Sequence, residues 1–233
     1  MSKVVIIDSG INKKYAKNTL NIIKSLSLYV DKNNNIFEKE VSKCNNPHGT
    51  AVADIITSIN PNVQIIDINI LDDNLETNGY IFLKAIERAI ELKPDVINLS
   101  LGTNSLKYTI QMIKLVNKAV KNNIHVVAAY DNSGRIAFPA IIKGVIGVKS
   151  LSNLEKHKSI DQYAYKRNTY YAPGCSVYLY GLDDSEHENF LYGNSMASAY
   201  ITGKISLIID ENMGISYKAI LNKIKFNLKY YFY

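Results

Sequence analysis

Cysteine is nearly absent: the 233 residues hold two, Cys44 and Cys175. Two cysteines in a chain of this length make no disulfide framework, and the C-x-x-C spacing of metal sites does not occur. Such usage is compatible with a reducing compartment. Long apolar runs are missing as well. No stretch approaches the ~18 residues that a membrane-spanning helix needs. Met1-Ser2-Lys3 passes straight into Val4-Val5-Ile6-Ile7, too short an apolar run for a signal-peptide core, and no small-residue cleavage site follows. A cytoplasmic protein without signal peptide or membrane association is the expectation. Nor is there a dense run of Lys or Arg. The net charge of +6, from 27 Lys+Arg against 21 Asp+Glu, speaks for solubility and a weak preference for acidic partners. No nucleic-acid partner is expected. Neither G-x-G-x-x-G nor a P-loop follows the first apolar run, which argues against a nucleotide-binding protein.

What remains is an ordinary globular composition, 47% hydrophobic and 21% charged, with a regular alternation of two patterns. Short apolar runs at Val4–Ile7, Val63–Ile70, Asp95–Leu101, Ile124–Ala129 and Val145–Val148 read as buried strands, with Ser176–Tyr180 a weaker candidate. Helical spacing appears between them: after His48 through Val52, Ile55, Ile56 and Ile59, then over Tyr80–Leu92 and Ile110–Val120. Asn18–Leu28, with Leu20, Ile23 and Leu26, predicts a further helix. Residues 29–46 predict a surface loop or hairpin. Two helices close the chain, Asn194–Glu211 and about Ser216–Leu228, the second a packed terminal helix with solvated lysines. No repeat, low-complexity tract or linker interrupts this order. The fold class is therefore α/β: a three-layer, doubly wound, mostly parallel sheet with helices on both faces, in a single domain over residues 1–233.

Three polar residues stand where such sheets place their chemistry, outside the carboxyl ends of the strands or at helix starts. Asp8 ends the first strand, and His48 opens a helix. Ser195 opens the buried helix that runs through Ile201, Ile205 and Ile208. Taken singly each has a plain structural reading. Asp8 suits a turn cap or a ribose ligand, His48 a helix terminus, and Ser195 a helix cap. Taken together they supply a nucleophile, a base and a carboxylate to orient that base, in the chain order Asp, His, Ser. His125, His157 and His187 have no motif around them and read as structural or surface residues, and Cys175 as inert.

The motifs themselves are specific. Val4-Val5-Ile6-Ile7-Asp8-Ser9-Gly10, His48-Gly49-Thr50-Ala51-Val52-Ala53 and Gly193-Asn194-Ser195-Met196-Ala197-Ser198 resemble the three active-site motifs of the subtilisin-like serine proteases. Asp95 to Gly102 is similar to that family's substrate-pairing strand, and Val126 to Asn132 to the strand leading to its oxyanion asparagine. Phe138-Pro139-Ala140 and Ala172-Pro173-Gly174 resemble two further family turns. Seven motifs in order cover nearly the whole chain. The resemblance implies a serine endopeptidase with Ser195 as nucleophile, His48 as general base and acid, Asp8 orienting His48, and Asn132 donating to the oxyanion. It implies a substrate site of Ser100, Leu101, Gly102, Ala129, Tyr130 and Asp131, a peptide or protein substrate, and no cofactor. The Ile70–Asn78 loop shows no obvious calcium cage, so no metal ligand is assigned.

The chain departs from the family pattern at several points. Asn194 replaces the usual Thr, and Ala199-Tyr200 the usual Pro-His; Ala51 and Asp54 replace a His and a Gly. Tyr130 and Asp131 stand where a small residue and a Gly are usual. A carboxylate at Asp131 leads to the expectation of Lys or Arg before the scissile bond. Asp8 lies so near the start that no propeptide is expected, which suggests narrow specificity, as in maturation of a peptide or its leader. The alternative is a degenerate fold that binds peptides by strand pairing without cleaving them, motivated by Asn194, Tyr130 and Asp131.

Overall fold

The run Val4–Ile7 has no exposed surface, because both of its faces are covered. Val4 and Ile6 join one apolar cluster while Val5 and Ile7 join the other, the period of two that a strand imposes. This strand, β1 (Lys3–Asp8), lies inside a nine-stranded sheet in the computed structural model. The structure describes residues 1–31, 35–40, 44, 46–151, 164–166, 168–174, 177–178 and 190–226. In chain order the elements are β2 (Ile22–Val30), β3 (Ile36–Lys39), α1 (His48–Ile59), β4 (Gln64–Asn69), α2 (Gly79–Glu91) and β5 (Val96–Leu99). Then follow α3 (Thr109–Lys121), β6 (His125–Ala129), β7 (Val145–Ser150), β8 (Ala164–Lys166) and β9 (Thr169–Ala172). Last come β10 (Val177–Tyr178), β11 (Phe190–Leu191), α4 (Asn194–Glu211) and α5 (Tyr217–Phe226).

The sheet order is β3-β2-β4-β1-β5-β6-β7-β9-β8. All neighbours from β2 to β9 pair in parallel, and only the edges β3 and β8 pair antiparallel. This is the mostly parallel, doubly wound sheet that the alternation predicts. The chain builds to one side of β1 as far as β4, then crosses back over to β5 and builds to the other side. The order therefore reverses between β1 and β5, and a crevice opens outside their carboxyl ends. Helices α1 and α4 cover one face through Val52, Ile56, Ile201 and Ile205; α2 and α3 cover the other through Phe82, Ile86, Met112 and Val116. Gly203 lets α4 approach α1: a Cβ there would stand 2.9 Å from the Ile59 Cβ. In α5, Ile220 and Ile224 are buried while Lys218, Lys223 and Lys225 are exposed, as a packed terminal helix requires. No helix among the described residues is long and apolar enough to cross a membrane.

One element corrects the sequence reading. Residues 22–30 form the strand β2 rather than part of a helix over Asn18–Leu28. The spacing of Leu20, Ile23 and Leu26 matched a helix by coincidence, whereas Leu26 and Leu28 are the buried pair and Ile23 is 46% exposed. A period of two wins because β2 gains a parallel partner in β4 and an antiparallel one in β3. The β2–β3 pairing is the hairpin alternative expected for residues 29–46. His157, His187 and Cys175 lie outside the described residues.

Candidate active site

Asp8 leaves the end of β1 fully buried, and its Oδ1 lies 2.8 Å from His48 Nδ1. Local hydrogen bonds bring α1 that close. Ser9 Oγ donates to the Asn46 carbonyl at 3.0 Å and accepts from the Gly49 N–H at 3.0 Å. Asn46 Oδ1 in turn accepts from the His48 N–H at 3.0 Å. Gly49 is needed for the approach, since a Cβ there would meet the Gly10 carbonyl oxygen at 2.5 Å and Asp8 Oδ1 at 3.2 Å. Burial pushes the Asp8 carboxyl up, yet the charge and hydrogen bond of His48, with the Ser9 N–H, hold it below the usual carboxylate range. Burial pushes His48 down, and the charge and hydrogen bond of Asp8 more than offset it, so the imidazole titrates above its usual 6.5. An ionised Asp8 accepting at Nδ1 keeps the proton there and leaves Nε2 as the basic nitrogen of the neutral ring.

Ser195 sits in the first turn of α4, with 9% of its surface exposed. The helix is anchored to β5 by Asn98, which accepts from Thr202 Oγ1 at 2.8 Å and donates to Ser100 Oγ at 2.9 Å. Ser195 Oγ donates to the Ser100 carbonyl at 2.9 Å, not to His48. Both side chains line one cleft of about 340 Å³. Catalytic hydrogen bonds are often unmade before substrate arrives.

Asn132 lines the same cleft, and its Oδ1 accepts from the Asn194 N–H at 3.0 Å. A backbone N–H can only donate, so this bond fixes which end of the Asn132 amide is oxygen. Gly193, at φ +121°, makes room, since a Cβ there would stand 3.1 Å from Asn132 Oδ1. Ser100, Leu101, Gly102, Ala129, Tyr130 and Asp131 all line the cleft. The structure thus gathers all the sequence-predicted site residues, with Asp8 behind His48. Sequence reasoning missed Leu71, Leu75, Thr103, Ala137 and Tyr192, which line it too. Leu71 and Leu75 belong to the Ile70–Asn78 loop, where an apolar pair among polar residues was the one available signal.

Asp131 holds its charge within its own turn. Its carboxylate accepts from the N–H and hydroxyl of Ser133 and lies 3.9 Å from Arg135. Those Ser133 bonds lower its carboxyl, and Arg135 shares the charge that would face a basic substrate side chain. Tyr130 packs its ring over Gly147 and beneath the Lys149 ammonium, 4.8 Å from the ring centre.

This constellation can be set beside known proteins. The sequence profile of the subtilase family matches residues 2–225. The chain belongs to that family. Subtilisin DY of Bacillus licheniformis is 29% identical over 237 residues, covering 95% of this chain and 81% of that protein. Subtilisin E of Bacillus subtilis (strain 168) is 27% identical over 231 residues, 90% of this chain but 56% of its own length. A cold-adapted subtilisin-like serine proteinase shares the fold at TM-score 0.70 and 20% identity, over 96% of this chain and 80% of that one. A lanthipeptide protease does so at 0.72 and 20%, over 95% and 78%. As a subtilase, the chain is a serine endopeptidase by class, a hydrolase of peptide bonds.

Proposed function

We propose that this subtilase cleaves peptide bonds through Ser195, His48 and Asp8, with Asn132 and the Ser195 N–H as oxyanion donors. The observation that carries the reading is the 2.8 Å Asp8–His48 pair meeting Ser195 and Asn132 in one cleft. A substrate strand pairs along Ser100 to Gly102. As its carbonyl arrives, Ser195 turns its hydroxyl from the Ser100 carbonyl to His48 Nε2 and attacks the carbonyl carbon. His48 takes the proton and returns it to the leaving amine, which departs as the acyl-enzyme forms. Water then attacks the acyl-enzyme with the same base, releasing the second product and Ser195. Asp8 stays ionised throughout and stabilises the imidazolium. Removing one oxyanion donor costs about 10²–10³-fold in kcat, a figure measured on subtilisin's own oxyanion asparagine. Every step uses this chain's own groups, and the reading includes no cofactor.

Narrow specificity belongs to the proposal. The cleft carries apolar Leu71, Leu75 and Tyr192 beside the pairing strand, and the same fold serves a lanthipeptide protease. Processing of a particular peptide or leader is the substrate class we favour, in the cytoplasm. The non-cleaving alternative is not favoured, since the departures at Asn194, Tyr130 and Asp131 leave the Asp8–His48 pair made. A fluorophosphonate probe tests the reading. Labelling of the wild type, lost in Ser195→Ala, is expected; no labelling of folded wild type, or labelling that survives the substitution, refutes it. Profiling cleavage sites of the same pair tests Asp131: preference for aromatic or aliphatic residues over Lys and Arg removes its role.

A further inference from the structure

We propose that Asn194 is the positioning residue of the oxyanion site, a role that rests on the protease reading above. The Asn194 side chain is buried, and every donor and acceptor it points into the site is used. Its Nδ2 donates to the Tyr130 carbonyl at 2.9 Å and to the Asp131 carbonyl at 3.3 Å. Its Oδ1 accepts from the Ser150 N–H at 2.7 Å, and its backbone N–H donates to Asn132 Oδ1 at 3.0 Å. One residue, adjacent to the nucleophile, therefore grips the two residues before Asn132, the Asn132 amide itself and the end of β7.

The geometry has a mechanical consequence. The two oxyanion donors belong to different elements, the Asn132 amide to the loop after β6 and the Ser195 N–H to α4. Their separation must match one oxygen atom, and donors displaced by a few tenths of an ångström lose much of their effect. Asn194 ties that loop to the start of α4, so the two donors move as one body. Only a carboxamide fits the partners. It must donate to two carbonyls and accept from one N–H, and a hydroxyl is too short to reach both sides. A carboxylate of the same shape keeps the Ser150 bond but faces two carbonyl oxygens without a donor, which is repulsive. Acting through Asn132, the residue tightens binding of the oxyanion and not of the ground-state peptide.

The test is a double-mutant cycle on a peptide substrate, with Asn194→Asp, Asn132→Ala and the two combined. The fold of each is checked by circular dichroism and thermal midpoint. If Asn194→Asp does not fold, Asn194→Ser takes its place in the cycle. Asn194→Asp is expected to lower kcat by about 10- to 100-fold with KM within about twofold, and to weaken a peptide boronate by a similar factor. On the Asn132→Ala background the same change is expected to cost less than about threefold, because the group it positions is gone. Losses that multiply on both backgrounds, a change confined to KM, or a kcat within twofold of wild type each overturn the role. A folded wild type that neither cleaves nor labels with fluorophosphonate overturns the protease reading and this role with it. A labelled wild type with multiplying losses overturns this role alone.

Discussion

Acidification from pH 7 to pH 4 should cost this protein about 3 kcal/mol of stability through one side chain remote from the chemistry. His125 begins β6, is 1% exposed, and stacks on Tyr217 with ring centres 4.1 Å apart and planes 5° from parallel. Among the described residues neither ring nitrogen has a hydrogen-bond partner. Burial without a partner pushes its pKa down from 6.5 to about 4. Above pH 6.5 the ring is neutral in both folded and unfolded chains and contributes nothing. Between 6.5 and about 4 the unfolded chain binds a proton that the native one refuses, so stability falls as pH falls. Below about 4 both bind it and the loss levels off. At ~1.36 kcal/mol per pH unit, the gap amounts to about 3 kcal/mol. Asp8 and Asp210, held low in the native state, lose stability in the carboxylate range in the same direction, whereas His48, held high, opposes them. The measurement must therefore be a difference. Urea unfolding of Ser195→Ala, which prevents self-digestion, is compared at pH 7 and pH 4 with Ser195→Ala/His125→Phe. Phe keeps the stack and has nothing to protonate. The His125 chain should lose about 3 kcal/mol more than the Phe chain across that interval. Equal losses would refute the assignment of a neutral buried imidazole.

Three further outcomes follow from the site. Asp8→Asn should lower kcat about 10⁴-fold by favouring the wrong His48 tautomer, as read by steady-state kinetics. In the wild type the acidic limb of kcat/KM should lie above 6.5, because neutral His48 is the active form, and it should move down in Asp8→Asn; an unmoved limb would disprove the pairing. Gly49→Ala puts a Cβ 2.5 Å from the Gly10 carbonyl oxygen. It should cost about 1–3 kcal/mol in urea unfolding and lower kcat together with it, since α1 must retreat from Asp8.

The buried strands and the proposed triad were the most legible parts of the chain. Val4–Ile7 shows as an unbroken apolar run, and Val96–Leu99 as one broken only by Asn98, because both faces of an inner parallel strand are covered. Asp8 shows because it closes such a strand, and His48 and Ser195 because each stands at the start of a patterned helix. Residues 22–30 failed because Ser25 and Ser27 alternate with Leu26 and Leu28 over too short a span to outweigh a chance spacing of three. Leu71, Leu75 and Tyr192 gave little signal, since what a loop residue faces depends on elements far along the chain. Asn194 is the sharpest case. Against the family pattern it read as a weakness, yet its side-chain partners stand 44, 63 and 64 residues away in sequence. No local pattern records such bonds.

The burial of α4 bears on how the enzyme comes into being. That helix fills the core between α1 and the strands β5, β6 and β7, and its first turn carries Ser195, the proposed nucleophile. Asp8 and His48 emerge from the ribosome early, but the layer that supports them is incomplete until residues near 211 have been made. A nascent or truncated chain missing α4 lacks that hydroxyl and much of the layer covering one face of the sheet at the same time.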